Sequence, residues 1–333
     1  MTRLWSTVRE WVDVYILLLF GMVALAAVLP ARGAAVVPVE LSADLAVALL
    51  FFLYGARLSA DQVFQGVKHW KLHTLVLGFT YVLFPILGGL TALAGRPFLG
   101  PELAAGMLFL TLLPSTVQSS VAFTSIAHGN VAASIVAASV SNLLGVLLTP
   151  LLVAWTMGAA AGVNLSTIRS LFLLLVLPFF IGQLLHRWLG APLSRHKKIT
   201  AKVDRAAILL VVYAAFSAGM RADMFAQLNG LELVALLIAC GVLLALIIAA
   251  TMSISRWLGF SWPDRVAIVF AGSKKSMASG LPMAQVIFPA ATVGILVLPL
   301  MIFHQIQLMV CAQLARRWST QAPQTPGEAS QPE

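Results

Sequence analysis

From Leu103 to Ile168 the chain carries no Asp, Glu, Lys or Arg. A water-soluble core has no use for an uncharged stretch of that length. Further charge-free runs extend from Val14 to Ala31, Leu72 to Gly95, Leu233 to Ser255 and Ser276 to Ala315. Each is long enough to cross a hydrocarbon layer of about 30 Å as a helix. Over 333 residues the chain is 60% hydrophobic and 10% charged, where soluble domains carry about a quarter charged residues. These features predict an all-α polytopic membrane protein of about ten transmembrane helices. So little chain lies outside the apolar runs that no soluble catalytic or receptor domain is left, and function is expected within the bilayer.

Apolar runs read against Pro, Gly and charge place spans near 14–30, 41–57, 71–94, 102–127, 131–157, 167–188, 204–220, 231–257, 264–288 and 291–315. Arg3, Arg9 and the stretch from Val14 also fit a secretory signal. Glu10, Asp13 and the nine runs that follow favour a first membrane helix. Loop Lys and Arg count fifteen on the side of both termini and four on the other, Arg32, Arg96, Arg169 and Arg221. The positive-inside rule then puts both termini in the cytoplasm of a multi-pass protein of the cell membrane. The net charge of +9 is thereby a matter of topology, and no nucleic-acid partner is expected. Cys240 and Cys311 both lie in apolar runs, so buried free thiols are expected.

The chain divides into a cytoplasmic segment 1–13, a first five-helix unit 14–157, a sixth helix with a basic connector within 158–203, a second five-helix unit 167–317 and a disordered tail 318–333. The connector is expected to orient the protein, with lipid-headgroup binding as the alternative. A shift of about 160 residues lays the stretch ending Gly55-Ala56-Arg57 through Asp61 on the one ending Gly219-Met220-Arg221-Ala222-Asp223, and Pro114 on Lys274. Five spans per copy is an odd number, so the second copy enters from the opposite face. Two inverted five-helix repeats are the plan of many secondary transporters, whose sites lie where discontinuous helices meet at mid-membrane.

Two spans are discontinuous in that manner. The fourth is apolar from Glu102 to Leu113, then reads Pro114-Ser115-Thr116-Val117-Gln118-Ser119-Ser120; the ninth reaches Ala271 and then reads Gly272-Ser273-Lys274-Lys275-Ser276 through Ser279 to Pro282. Proline removes a donor from the helix ladder, and a polar run at that depth must face protein or water. A lysine at mid-bilayer costs about 2.5–3.5 kcal/mol on insertion scales, so two adjacent ones point to a site. Their roles divide among a structural or coupling cation, attraction of an anionic substrate, and snorkelling. Thr116, Gln118 and Ser276 are candidates for solute or ion contact or for helix caps. Asn142 is read either as a ligand or as an interhelical hydrogen bond, and His304, Gln305 and Gln307 as cavity lining or an interhelical network.

These residues resemble the bile acid:sodium symporter superfamily, in its SBF-like branch, over roughly residues 10–317. The resemblance rests on Leu113-Pro114-Ser115-Thr116-Val117-Gln118-Ser119-Ser120, His128-Gly129-Asn130, Ser139-Val140-Ser141-Asn142 and Gly272-Ser273-Lys274-Lys275-Ser276-Met277-Ala278-Ser279-Gly280. It implies a panel domain of spans 1, 2, 6 and 7, and a core of spans 3–5 and 8–10 in which broken spans 4 and 9 cross. It implies sodium as coupling ion, placed by position on Ser119, Ser120, Ser139 and Asn142. The family's acidic residue falls on Ser273 and its Gln on Met277, so a lysine in the cation's place, or proton coupling, stands beside sodium.

The expectation is therefore a transporter moving a small organic solute, anionic or amphipathic, by alternating access, with sodium or a proton as coupling ion and no other cofactor. A non-transporting sensor of the same fold is the alternative. An enzyme is not expected: HExxH, GxGD and GxSG motifs are absent. Only Lys275 with Ser279, four residues apart, has the spacing of a Ser-Lys dyad. Substrate and oligomeric state are not legible.

Overall fold

The computed structural model describes residues 14–57, 69–158, 169–170, 172–223 and 228–320. The segment 1–13, the tail from 321 and most of the stretch leading into the sixth span lie outside the described residues. Among the described residues each of the ten apolar stretches is helical over most of its length, the fourth and ninth with an interruption, and no strand occurs. In chain order the helices are α1 (Val14–Val28), α2 (Val36–Arg57), α3 (Trp70–Gly78), α4 (Phe84–Thr111), α5 (Val117–Ile126), α6 (Val131–Thr156), α7 (Leu177–Arg195), α8 (Lys197–Arg221), α9 (Gly230–Trp257), α10 (Trp262–Gly272), α11 (Met277–Ile287) and α12 (Ala290–Ser319).

Among the described residues seven helical stretches are long and apolar enough to cross a membrane unaided, and a shorter apolar helix covers Leu17–Val28. One of the seven, Trp70–Thr111, is 42 residues long. At 1.5 Å per residue it is about twice as long as a bilayer core is thick. It bends at Gly100, whose φ of 69° is readily reached only without a Cβ; Pro101 follows. α3 joins α4 through a π-turn at Phe79–Leu83. Three exposed tryptophans lie at helix ends, Trp70 opening α3, Trp155 next to last in α6 and Trp257 closing α9, as the indole preference for the membrane interface leads one to expect.

The helices pack in two groups. α1, α2, α7 and α8 pack on one another, α7 lying along α2 and α8 along both α1 and α2. A Cβ added at Gly182 of α7 would lie 2.1 Å from the Phe52 carbonyl oxygen of α2, so glycine is what lets these backbones approach. The remaining helices form the second group, with α9 and α12 against α4, and α5 against α6 and α10; α8 meets it through α11 and α12.

α2 and α8 are pinned at both ends by ion pairs. Arg57, the last residue of α2, grips Asp204 of α8 at 2.6 and 3.1 Å, and Arg221, the last residue of α8, grips Glu40 of α2 at 2.8 Å. Arg57 and Arg221 are 164 positions apart, and so are Glu40 and Asp204.

The basic stretch expected as a connector is helical. α7 runs to Arg195, His196 makes a single turn, and α8 starts at Lys197; Pro192 is tolerated within α7. Of the tail expected from residue 318, residues 318–320 are described: Trp318 still belongs to α12, and its ring meets that of Trp262 edge-on and that of Phe270 at a tilt, with centroids 5.4 and 5.3 Å apart; the rest lies outside the described residues. Cys240 and Cys311 are free and buried.

Candidate functional site

Both expected breaks are present, each shorter than the polar run that announced it. α4 ends at Thr111 and α5 starts at Val117, so the first break is residues 112–116 and Gln118, Ser119 and Ser120 are already helical. α10 ends at Gly272 and α11 starts at Met277, so the second break is residues 273–276. In each case the helix restarts as soon as its first amides find acceptors or leave the crowded turn, and small polar residues are then acceptable helix formers.

The two breaks cross and bond to each other. The Ser276 amide donates to the Pro114 carbonyl at 2.8 Å, and the Thr116 hydroxyl donates to the Lys275 carbonyl at 2.9 Å. Ser115 donates its hydroxyl to the Ala271 carbonyl at 2.5 Å, and Ser120 to the Phe270 carbonyl at 2.7 Å. Two of the last carbonyls of α10, orphaned by the break, are thus satisfied from the first break and the opening turn of α5. α6 ties both together. Its Asn142 donates to the Ser115 carbonyl and accepts from the Ser279 hydroxyl at 2.9 Å, while Ser141 accepts from the Ser115 amide at 3.0 Å.

Lys274 and Lys275 are both fully buried, in opposite circumstances. The Lys275 ammonium donates to the carbonyls of Thr80, Thr111 and Leu113 at 2.8, 2.6 and 2.7 Å. The Thr80 carbonyl lies in the π-turn and Thr111 ends α4, places where the helix ladder leaves acceptors over. Lys275 is also held through its backbone, its amide donating to Gln307 and its carbonyl accepting from Gln307, each at 3.0 Å. Among the described residues the Lys274 ammonium has no hydrogen-bond partner, its polar neighbour being the Cys311 thiol. It lies 3.9 Å from the ring centroid of Phe123 and 5.1 Å from that of Phe270, and among the described residues no carboxylate pairs with it.

Each expected site residue has a place. Pro114, Ser115, Thr116, Ser120, Asn142, Lys275, Ser276 and Ser279 meet at the crossing through the bonds above. Ser276 is the cap of α11, accepting from the Ser279 amide at 3.2 Å, whereas Thr116 bridges the breaks instead of capping α5. The Ser119 hydroxyl is buried without a partner among the described residues, and the Ser273 hydroxyl is buried beside the Cys311 thiol. Gln118 is exposed, and Ser139 and Gln305 are half-buried and take no part in the bonds of the crossing. Their places are taken by neighbours two positions on, Ser141 for Ser139 and Gln307 for Gln305, together with Thr80, Thr111 and Tyr81, whose hydroxyl donates to the Ser141 carbonyl at 2.6 Å. His304 contacts Gln307 at 2.9 Å within α12, and it is Gln307 that reaches across to the backbone of Lys275. The Ser-Lys dyad is not assembled: Lys275 is committed to three carbonyls and Ser279 to Asn142.

The model of the SBF-like CPA transporter family matches residues 13–320. The chain belongs to that family. PA2026 of Pseudomonas aeruginosa is 50% identical over 92% of this chain and 93% of its own. YfeH of Escherichia coli (strain K12) is 47% identical over 94% of both chains. Sodium/bile acid cotransporter 7 of Xenopus tropicalis is 29% identical over 91% of this chain and 89% of its own. As a member of the SBF-like CPA transporter family, the chain is a multi-pass membrane transporter of the bile acid:sodium symporter kind and not an enzyme.

Proposed function

We propose that the chain is a secondary transporter that moves a small organic anion by alternating access, α1, α2, α7 and α8 rocking against the other helices about the crossing, driven by a sodium or proton gradient. The observation that carries this reading is the convergence of two helix N-termini, those of α5 and α11, with two buried lysines and no carboxylate. Helix N-termini bear partial positive charge, and half-helices of this kind hold anionic groups in transporters. The reciprocal pairs Arg57 with Asp204 and Arg221 with Glu40 support two inverted five-helix copies, since a two-fold axis turns one pair into the other. The sodium arm of the reading draws on the relatives named for sodium and bile acid. Among the residues expected to hold it, Ser119 offers an uncommitted hydroxyl while Ser120 and Asn142 are engaged in bonds between helices.

The test is uptake by purified protein in proteoliposomes, using labelled taurocholate, a steroid sulfate and a short monocarboxylate as probes under imposed sodium or proton gradients. At least one probe should enter saturably. The Tyr54 hydroxyl of α2 contacts the Ala278 carbonyl of α11 at 3.5 Å, so bridging Tyr54→Cys and Ala278→Cys with a short, reducible bifunctional thiol reagent should arrest that uptake reversibly, by about tenfold or more if rocking is obligatory. No uptake of any probe, or uptake indifferent to the cross-link, overturns the reading.

A further inference from the structure

The environment of Lys275 is that of a bound cation. Three backbone carbonyls from three places, the π-turn (Thr80), the end of α4 (Thr111) and the first break (Leu113), surround one nitrogen at 2.6–2.8 Å. Carbonyls freed by irregular helix ends are the ligands that hard monovalent ions take in membrane proteins. A primary ammonium has three N–H donors, and here all three are used. The Phe84 ring closes a further side, 4.3 Å from the ammonium to its centroid, so no ligand position is left open to a second ion.

Nor is the lysine free to leave. Its own amide and carbonyl are gripped by Gln307, and its carbonyl also accepts from Thr116. Withdrawing the side chain would strand three buried carbonyls, and moving the backbone would break the junction of the two breaks. Lys274, next in sequence, has none of these bonds, so burial at the crossing alone does not produce them.

We propose that the Lys275 ammonium is a tethered cation that permanently fills a carbonyl cage at the crossing, in the role that a free monovalent ion would otherwise take, so that the transport cycle binds no sodium there. The proposal rests on the transporter reading above and narrows it: of the two gradients, sodium is not required at this cage.

The experiment is thermal unfolding of the purified full chain in choline, potassium and sodium chloride at matched ionic strength, for wild type and Lys275→Ala, with methylammonium or tetramethylammonium chloride added to the variant. Wild type should unfold within about 1 °C in all three salts, since an ion bound only to the folded state would raise its Tm. Lys275→Ala should unfold roughly 5 °C or more lower. Methylammonium, with three N–H donors, should restore it saturably; tetramethylammonium, with none, should not. A saturable, sodium-specific rise in wild type, or a variant indifferent to methylammonium, overturns the proposal. If the variant does not fold, equilibrium binding of radioactive sodium to wild type decides: a saturable site displaced by no other monovalent cation overturns it, and no such site upholds it. Failure of every anion probe to be transported would sink the transporter reading and leave these binding results unaffected.

Discussion

Ser115 and Lys275 are 160 positions apart, as are Thr111 and Ala271, and the two side chains do the same thing to each other's helix. Ser115 donates to the carbonyl of Ala271 and Lys275 to that of Thr111. Each break thus closes the open end of the opposite half-helix, one with a neutral hydroxyl, the other with a charge. The difference follows from what else lies within reach. Beside Ala271 the neighbouring carbonyl of Phe270 is served separately by Ser120, so one hydroxyl is enough. Beside Thr111 the π-turn and the break add two more open carbonyls, Thr80 and Leu113, and one ammonium serves all three. The crossing is symmetric in its geometry and asymmetric in its electrostatics, with the charge where unsatisfied acceptors accumulate.

The largest effect expected from this comparison is the loss of that charge. Lys275→Met keeps the volume and removes all three donors. A buried polar group left unpaired costs about 1–3 kcal/mol, and breaking a buried charged cluster costs about 3–5 kcal/mol, so an apparent destabilisation of that order is expected in detergent unfolding. Ser115→Ala removes one neutral bond, and such bonds between membrane helices average about 0.6 kcal/mol. Equal losses from the two variants would break the comparison.

The second effect has the opposite sign. Lys274 brings an ammonium into an aromatic cluster without an acceptor, and cation–π contact returns about 2 kcal/mol at best when desolvated. Lys274→Met should therefore raise stability by about 1–3 kcal/mol, because replacing an unpaired buried polar group by an apolar one of similar shape removes its desolvation penalty. The check is the Tm difference between the two methionine variants, measured side by side. A loss of stability in both would mean that Lys274 has a partner, a bound anion or an ordered water, that its bare surroundings do not reveal.

The helices and both breaks were legible because their signals are local: apolar runs, Pro114, Gly272 and two lysines in a span. What was not legible was rotation about the helix axis. In a soluble helix the apolar stripe reports which face looks inward; α6 and α12 are apolar on nearly every face, so Ser139 could not be told from Ser141, nor Gln305 from Gln307. Which of two adjacent lysines meets the carbonyls was hidden for a different reason: both lie in the break 273–276, where no helical repeat sets the direction of a side chain. The boundary between the third and fourth spans was legible, like the breaks, from a local signal: Gly100 and Pro101 announce a turn, and at Gly100 the backbone leaves the helical region, with φ 69° and ψ 170°, dividing α4 into two helical pieces.

The smallest expected effects lie at the periphery, where the same reciprocity recurs without burial. Arg57 makes two bonds to Asp204, with the side chains 28% and 19% exposed; Arg221 makes one to Glu40, with 27% and 39% exposed, and one to the Ala31 carbonyl at 2.9 Å. Partly exposed pairs are worth about 0.2–1 kcal/mol and weaken in salt. Arg57→Ala and Arg221→Ala should therefore each lower stability by less than about 1 kcal/mol, differ by no more than a few tenths, and converge on wild type as ionic strength rises. Because each pair joins α2 to α8 at one end, a double-mutant cycle across Arg57 and Asp204 should show coupling of this small size, as should one across Arg221 and Glu40. If either cycle instead gave the several kcal/mol expected at Lys275, the outer helices would be locked as firmly as the crossing. The division between a directionally bonded centre and a loosely latched flank would then be wrong.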